Sequence, residues 1–214
     1  MIEVLLADDH TLVRTGIRHI LEAFNGIKVV AEASTGEEAI KLVKEHKPDV
    51  VLMDVNMPGM GGIEATTKLL RSHPNLNVIA LTVHATEPYP VRLLQAGAKG
   101  YLTKGCPAEE MYEAIKKVAK GERFVSSEIA QSLALSLLPG EETPFDKLSQ
   151  REMQVMLMIA KGCNIQEISD SLCLSPKTVS TYRYRLYEKL EVENDVALTH
   201  FALRYNLLDD ESKG

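Results

Sequence analysis

The sequence predicts an α/β fold, an open doubly wound sheet of five parallel strands, followed by an all-helical unit of four helices. Three observations predict it. Short β-branched apolar runs recur five times before residue 104, separated by longer stretches with helical spacing. Strands that alternate with helices need crossover connections, which force parallel pairing and place helices on both faces. After residue 145 only the helical period remains. A closed eightfold barrel needs about 250 residues, more than the 214 of the whole chain.

The strands are read in order as "IEVLLA" (2–7), "KVVAEAS" (28–34), "DVVLMD" (49–54), "NVIALT" (77–82) and "KGYLT" (99–103). Helical spacing fills 11–23, 37–46, 62–72, 88–96 and 107–120. "SSEIAQSLALSLL" (126–138) reads as a connecting helix, and "PGEETPF" (139–145) as a turn-rich acidic linker. Helices then follow near 149–161, 164–172, 176–190 and 195–205. Two domains are therefore expected.

Composition narrows the class. The chain is 45% hydrophobic and 25% charged, as ordinary globular proteins are. No apolar run approaches the roughly 20 residues that span a bilayer, so no membrane insertion is expected. "MIEVLLADDH" has no basic start and meets acid too early for a signal peptide. Cys106, Cys163 and Cys173 show no paired spacing, which favours neither disulfides nor zinc. A cytoplasmic address is expected. The net charge of -6 does not itself suggest nucleic acid.

The acids carry the first functional signal. "VVLMDVNMPG" runs four apolar residues into Asp54, and an unpaired carboxylate at the end of a buried strand is unfavourable. "LLADDH" places Asp8 and Asp9 just past the first strand, which neighbours the third in such a sheet. Three carboxylates brought together repel unless a cation sits among them, and an all-oxygen set suits Mg²⁺. Thr82 ends the fourth strand with a hydroxyl and Lys104 ends the fifth with a cation. An acid pair, an acid, a hydroxyl and a lysine at four strand ends form a specific set, suited to holding a phosphoryl group on Asp54. Blander readings stand beside it. The acid pair could cap the following helix, Thr82 could be strand filler and Tyr101 core packing. His10 and His84 receive no role; His10 is read as facing solvent.

The second signal is "LCLSPKTVSTYRYRLYEKL". Ser175 before Pro176 marks a helix start. Val179, Leu186 and Leu190 share one face, while Lys177, Thr181, Tyr184, Arg185 and Glu188 lie roughly opposite. Four basic residues stand against one acid between Lys177 and Leu190, whereas residues 146–207 hold eight of each sign. With "NIQEISDSL" before it and "CLSP" as the turn, a helix-turn-helix is expected. The alternative is an amphipathic helix whose polar face meets only water.

Residues 1 to about 120 resemble a response-regulator receiver domain, of flavodoxin-like fold, through Asp8-Asp9, Asp54 before "VNMPG", Thr82 and Lys104. The resemblance implies that Asp54 takes phosphoryl from a sensor-kinase phosphohistidine. It also implies Mg²⁺ held by Asp9, Asp54 and the backbone carbonyl of Asn56, with Asp8 acting mostly through water, and Tyr101 as an aromatic switch. Gly105 departs from the proline that often follows the lysine. "LSQREMQVMLMIAKG" and "PKTVSTY…KL" resemble a LuxR/NarL-type output domain, in which 176–190 is the recognition helix. That implies base contacts among Ser180, Thr181, Tyr184 and Arg185, and phosphate contacts from Lys177, Arg183 and Lys189, with Thr178 on the same DNA-facing helix. "DVALTHFALRY" would be the dimerisation face.

Across its length, in "LTVHATEPYPVRLLQAGAKGYLTKG", "EEMYEAIKKVAKGERFVSSEIAQSLALSLL" and "QVMLMI", the chain is similar to GacA/UvrY-type global regulators. Cys106 departs from the small alanine expected there. The resemblance implies a membrane hybrid sensor histidine kinase as partner, a homodimer on double-stranded promoter DNA, and transcription of small regulatory RNAs that titrate a translational repressor. The expected layout is a receiver at 1–122, a linker with a helix at 123–145, the DNA-binding domain at 146–208 and an acidic tail at 209–214. Two rivals are an aspartyl phosphohydrolase and a protein-binding adaptor. The first needs a second Asp two residues after Asp54, where Asn56 stands.

Overall fold

The computed structural model describes residues 1–83, 93–94, 96–127, 129–131 and 144–205. The helices expected at 88–96 and 126–138, His84, most of the acidic linker and the acidic tail fall wholly or mostly outside these residues. The chain divides into two compact units, Met1–Leu138 and Pro139–Gly214.

In the first unit the described strands are β1 (Ile2–Ala7), β2 (Ile27–Ala33), β3 (Val50–Asp54), β4 (Asn77–Thr82), β5 (Gly100–Thr103) and β6 (Phe124–Val125). All pairings are parallel, in the order β2-β1-β3-β4-β5-β6. Five of these strands match the expected runs to within a residue or so. The sixth, two residues long, is an addition: "FV" is too short to show a period, and only its pairing to Gly100 and Tyr101 makes it a strand.

The helices are α1 (Thr11–Glu22), α2 (Gly36–His46), α3 (Gly62–Ser72) and α4 (Ala108–Ala119). Alternate residues of each strand point to opposite faces, so one sheet serves two cores. Val4, Leu6, Val50, Leu52, Ile79 and Leu81 pack with Ile17 and Leu21 of α1 and Met111 and Ile115 of α4. Leu5, Ala7, Val51, Met53 and Val78 pack with Ala39 and Val43 of α2 and Ala65 and Leu69 of α3. This explains why β3 reads as one unbroken apolar run: it is buried along its whole length.

The second unit holds α5 (Gln150–Ala160), α6 (Ile165–Leu172), α7 (Pro176–Leu190) and α8 (Asp195–Arg204), after a short 3₁₀ turn at Pro144–Lys147. Local sequence sets each helix start. Ser149 with Glu152, and Asn164 with Glu167, form capping boxes. Ser175 caps α7 and Pro176 takes its first turn. Between α6 and α7, Cys173 adopts left-handed φ of 52° and Ser169 Oγ donates to the Leu174 carbonyl at 2.6 Å. Together these fix the sharp reversal of a helix-turn-helix.

One buried acid ties this unit together. Glu152 accepts from the Ser149 backbone N–H at 2.7 Å and pairs with Lys189 Nζ at 2.7 Å, linking α5 to α7. Burial pushes its carboxyl up, but the Lys189 and Ser149 bonds outweigh that and hold it below its usual value. A depressed carboxylate stabilises the fold above its unfolded pKa and ceases to do so as pH falls through the folded one. Glu152→Gln is therefore expected to destabilise the unit by about 1–3 kcal/mol at pH 7. The loss should shrink as pH falls into the acid range, which thermal melts at two pH values will measure.

Candidate functional site

Strand register assembles the site. Ala7 lies beside Met53, so Asp8, one residue on, stands level with Asp54. Asp54 lies beside Leu81, so Thr82 follows one step beyond it, and Thr82 in turn lies beside Thr103, which precedes Lys104. Asp8, Asp54, Thr82 and Lys104 thus reach one carboxyl edge of the sheet. This is the edge at which open parallel sheets bind ligands.

Asp8, Asp54 and Thr82 are buried. Lys104 Nζ lies 2.8 Å from Asp8 Oδ2 and 2.9 Å from Asp54 Oδ2, bridging the two carboxylates. Its backbone N–H donates to the Thr82 carbonyl at 2.6 Å, which fixes the start of the lysine's reach. The second oxygens accept main-chain donors: Asp8 Oδ1 from His10 at 2.9 Å and Asp54 Oδ1 from Asn56 at 3.2 Å. Burial pushes the Asp54 carboxyl up to about 7 against the pull of the Lys104 ammonium, and the neighbouring Asp8 carboxylate adds to the rise. Burial pulls the Lys104 ammonium down, but the two carboxylates overcome it and hold it above its usual value.

Asp9 stands beside this group, half-buried. Ligand atoms of Asp8, Asp9, His10 and Asp54 all lie within 4.8 Å of one another. Three carboxylates against one ammonium leave a net formal charge of about -2 with every Asp ionised, which a dication neutralises. The donor set therefore fits Mg²⁺, with carboxylate oxygens as the hard ligands that ion prefers. Asn56 is exposed at the rim, two residues beyond Asp54.

Tyr101 is fully buried on β5. His10 faces solvent, as its sequence reading has it, but it also neighbours the acid pair, which that reading did not foresee. Its side chain is 64% exposed, yet Nδ1 lies 2.9 Å from Asp9 Oδ1 and 3.4 Å from Asp8 Oδ1. Adjacency to the acid pair was the available signal.

Gly62 opens α3 directly behind the acceptor. A Cβ placed there would lie 1.8 Å from the Asp54 carbonyl oxygen, so only glycine lets the helix approach this closely.

In the second unit, Val179, Leu186 and Leu190 are buried, while Lys177, Thr181, Tyr184, Arg185 and Glu188 are exposed, as the helical spacing requires. Ser175, Lys177, Thr178, Thr181, Tyr182 and Arg185 line a surface concavity of about 360 Å³. Tyr182 is an addition to the expected set. Thr178 Oγ1 and Ser175 Oγ share a hydrogen bond at 2.8 Å, and Ser180 and Thr181 donate back to the Pro176 and Lys177 carbonyls.

Two of the basic side chains point elsewhere. Arg183 makes a fork to both Asp195 oxygens at 2.8 and 2.6 Å, joined by Tyr187 Oη at 2.6 Å. Lys189 is held by Glu152 and the Lys147 carbonyl. Each of these charges is paired within the domain. On α8, Val196 and Leu203, seven residues apart on one face, are exposed apolar side chains.

Comparison with known proteins adds independent findings. Residues 4–116 match the family described as response regulator receiver domain, and residues 146–202 match bacterial regulatory proteins of the luxR family. The chain is 55% identical to the response regulator GacA of Pseudomonas aeruginosa over 99% of this chain and 100% of that protein. It is 54% identical to the response regulator UvrY of Escherichia coli, over 99% of this chain and 98% of that one. Among solved structures, RcsB from Salmonella enterica serovar Typhimurium, bound to the promoter rprA with the phosphomimetic BeF3-, superposes with TM-score 0.66 at 26% identity, covering 94% of this chain and 97% of that one.

Proposed function

The chain belongs to the response regulators that join a receiver domain to a LuxR-family output domain, and from that premise we propose that Asp54 is its phosphoacceptor. The family is one of phosphoacceptors, not of turnover enzymes. The observation that carries the assignment is the Lys104 bridge between Asp8 and Asp54 at the shared strand edge.

In the proposed step an ionised Asp54 oxygen attacks the phosphorus of a phosphohistidine on a hybrid sensor kinase. The new O–P bond forms as the P–N bond breaks, and the imidazole leaves with the electron pair. Asp8, Asp9, Asp54 and the Asn56 backbone carbonyl would hold Mg²⁺, which neutralises charge on the phosphoryl oxygens. Lys104 is 2.9 Å from the acceptor oxygen and can pass from Asp8 to a phosphoryl oxygen. Thr82, buried at the next strand end, supplies a hydroxyl for another. Tyr101 reads the change from inside the sheet.

The output is proposed to be DNA binding. Lys177 and Arg185 flank the concavity on α7 with Thr181 and Tyr182 between them, a basic and hydroxyl-rich surface of the kind that meets phosphates and base edges in a major groove. Thr178, Ser180 and Tyr184 complete the surface. Arg183 and Lys189 act through the fold, since their charges are paired within it. The apolar Val196 and Leu203 support homodimerisation through α8. Phosphorylation would favour the dimer, and moving such an equilibrium from 1:99 to 99:1 needs about 5.5 kcal/mol. Charge-assisted bonds from Lys104 and Thr82 to a phosphoryl group can supply much of that.

The finer parts of the proposal follow from the sequence resemblance: a cytoplasmic regulator that activates small regulatory RNAs, with domain bounds of 1–122 and 146–208 around the family matches at 4–116 and 146–202. The test is duplex-DNA binding with and without acetyl phosphate and Mg²⁺. Binding should tighten only when both are present and should weaken steeply with salt. Binding indifferent to acetyl phosphate would overturn the coupling.

A further inference from the structure

The turn that carries the acid pair is braced from one side. At the end of β1 the Asp8 backbone N–H donates to the Ala33 carbonyl at 3.0 Å, tying it to β2. Asp9 and His10 follow, and α1 then starts without the usual side-chain cap, since His10 makes no capping bond. Arg14, one turn into α1, holds the turn twice. Its main-chain N–H donates to the His10 carbonyl at 2.9 Å, and its guanidinium Nη1 donates to the Asp8 carbonyl at 2.6 Å.

The same guanidinium is anchored on β2. Nε donates to Glu32 Oε2 at 3.0 Å, and Arg18 occupies the other Glu32 oxygen at 2.6 Å. The Arg14 side chain is only 15% exposed, so these charge-assisted bonds are largely shielded from water. A planar group with fixed, diverging donors can span a carbonyl and a carboxylate at once, which a single ammonium cannot do.

The brace has something to resist. Asp8, Asp9 and Asp54 gather three like charges, and Lys104 meets only Asp8 and Asp54. Asp9 lies beyond the paired residues of β1, so repulsion displaces its turn most readily.

We propose that Arg14 is a positioning residue for phosphoryl acceptance: it pins the Asp8-Asp9 turn to β2, so that the acids already converge before an ion or a phosphoryl group arrives. The inference rests on the acceptor and metal site proposed above. Arg14 bonds the main chain of Asp8, so it acts through the turn and touches no reacting atom.

Charge and position predict opposite signs here. Removing a cation near an anionic pocket should tighten Mg²⁺ binding by Coulomb's law, whereas removing a brace should weaken it. The test titrates the full-length protein with Mg²⁺ and follows the amide NMR shifts of His10 and Asn56, whose N–H groups bond Asp8 and Asp54. Arg14→Ala should weaken Mg²⁺ binding about 10-fold, the scale on which loss of a ligand's orienting partner acts. Arg14→Lys keeps the charge but not the span, so it should weaken binding too, and it decides the question should the alanine variant unfold. Glu32→Gln keeps an oxygen for Nε, so Mg²⁺ binding should stay close to wild type while the melting temperature falls. Binding unchanged or tightened in Arg14→Ala overturns the assignment. An equal loss in Glu32→Gln also overturns it, reducing Arg14 to an ion pair that stabilises the fold. Wild-type amides that ignore Mg²⁺ would remove the metal site itself, and this proposal with it.

Discussion

Asp54→Asn abolishes covalent labelling by acetyl phosphate in the presence of Mg²⁺, while the protein stays folded. The amide keeps the shape of the carboxylate but cannot form the acyl phosphate, because its oxygen lacks the charge that attacks phosphorus and its nitrogen is a poor nucleophile. No other residue at the strand edge replaces it. Asp8 has one oxygen on the lysine and the other on the His10 backbone N–H, and Asp9 lies to the side. Stability should not fall with activity. Asp54 is a buried carboxylate raised to about 7 by its surroundings, so neutralising it removes a desolvated charge and leaves Lys104 to Asp8 alone. Intact-mass spectrometry and a thermal melt read the two effects separately. A phosphoryl adduct on the variant would falsify the nucleophile assignment, and a collapsed melt would make the loss of label uninformative about chemistry but would contradict the stability argument.

Arg185→Ala weakens duplex-DNA binding by about 1–3 kcal/mol and leaves phosphoryl labelling unchanged. Arg185 stands exposed beside Lys177 and Thr181 on one edge of α7, and the helix buries the opposite edge through Val179, Leu186 and Leu190. Its guanidinium is thus available to a groove without disturbing the core. Lys177→Ala should weaken binding to all sequences alike and reduce the salt slope by about 1, as removal of one phosphate contact does. Arg183→Ala provides the contrast. It breaks the fork to Asp195 that joins α7 to the start of α8, so its effect should appear first as a lowered melting temperature. Equal melting with lost DNA binding in Arg183→Ala would show that this arginine contacts DNA after all. Fluorescence anisotropy at two salt concentrations, with a melt for each variant, separates these outcomes.

Much of this was legible in the sequence, for physical reasons. Strands with a two-residue period or an unbroken apolar run, and helices with caps such as Ser149, Asn164 and Ser175, declare themselves locally. The strand-edge set was legible because parallel register converts sequence position into spatial position: an acid one residue past β1 must meet an acid at the end of β3. What escaped depends on side-chain direction or on pairing alone. β6 is two residues long and exists only through its neighbour β5. His10 is exposed, as read, but its nearness to Asp8 and Asp9 depends on a rotamer that the sequence does not show. Sequence shows the charge of Arg183 and Lys189, while their pairing with Asp195, 12 residues away, and with Glu152, 37 away from Lys189, exists only in the folded domain.

The glycine at the head of α3 has a mechanical consequence. With a hydrogen atom as the only spacer between that helix and the Asp54 carbonyl, the joint has no slack. Close-packed interiors transmit displacement instead of absorbing it. Whatever shifts the main chain at position 54 is therefore delivered to the helix like a push on a rod, which makes the outer surface of α3 a second place where the state of the acceptor can be felt.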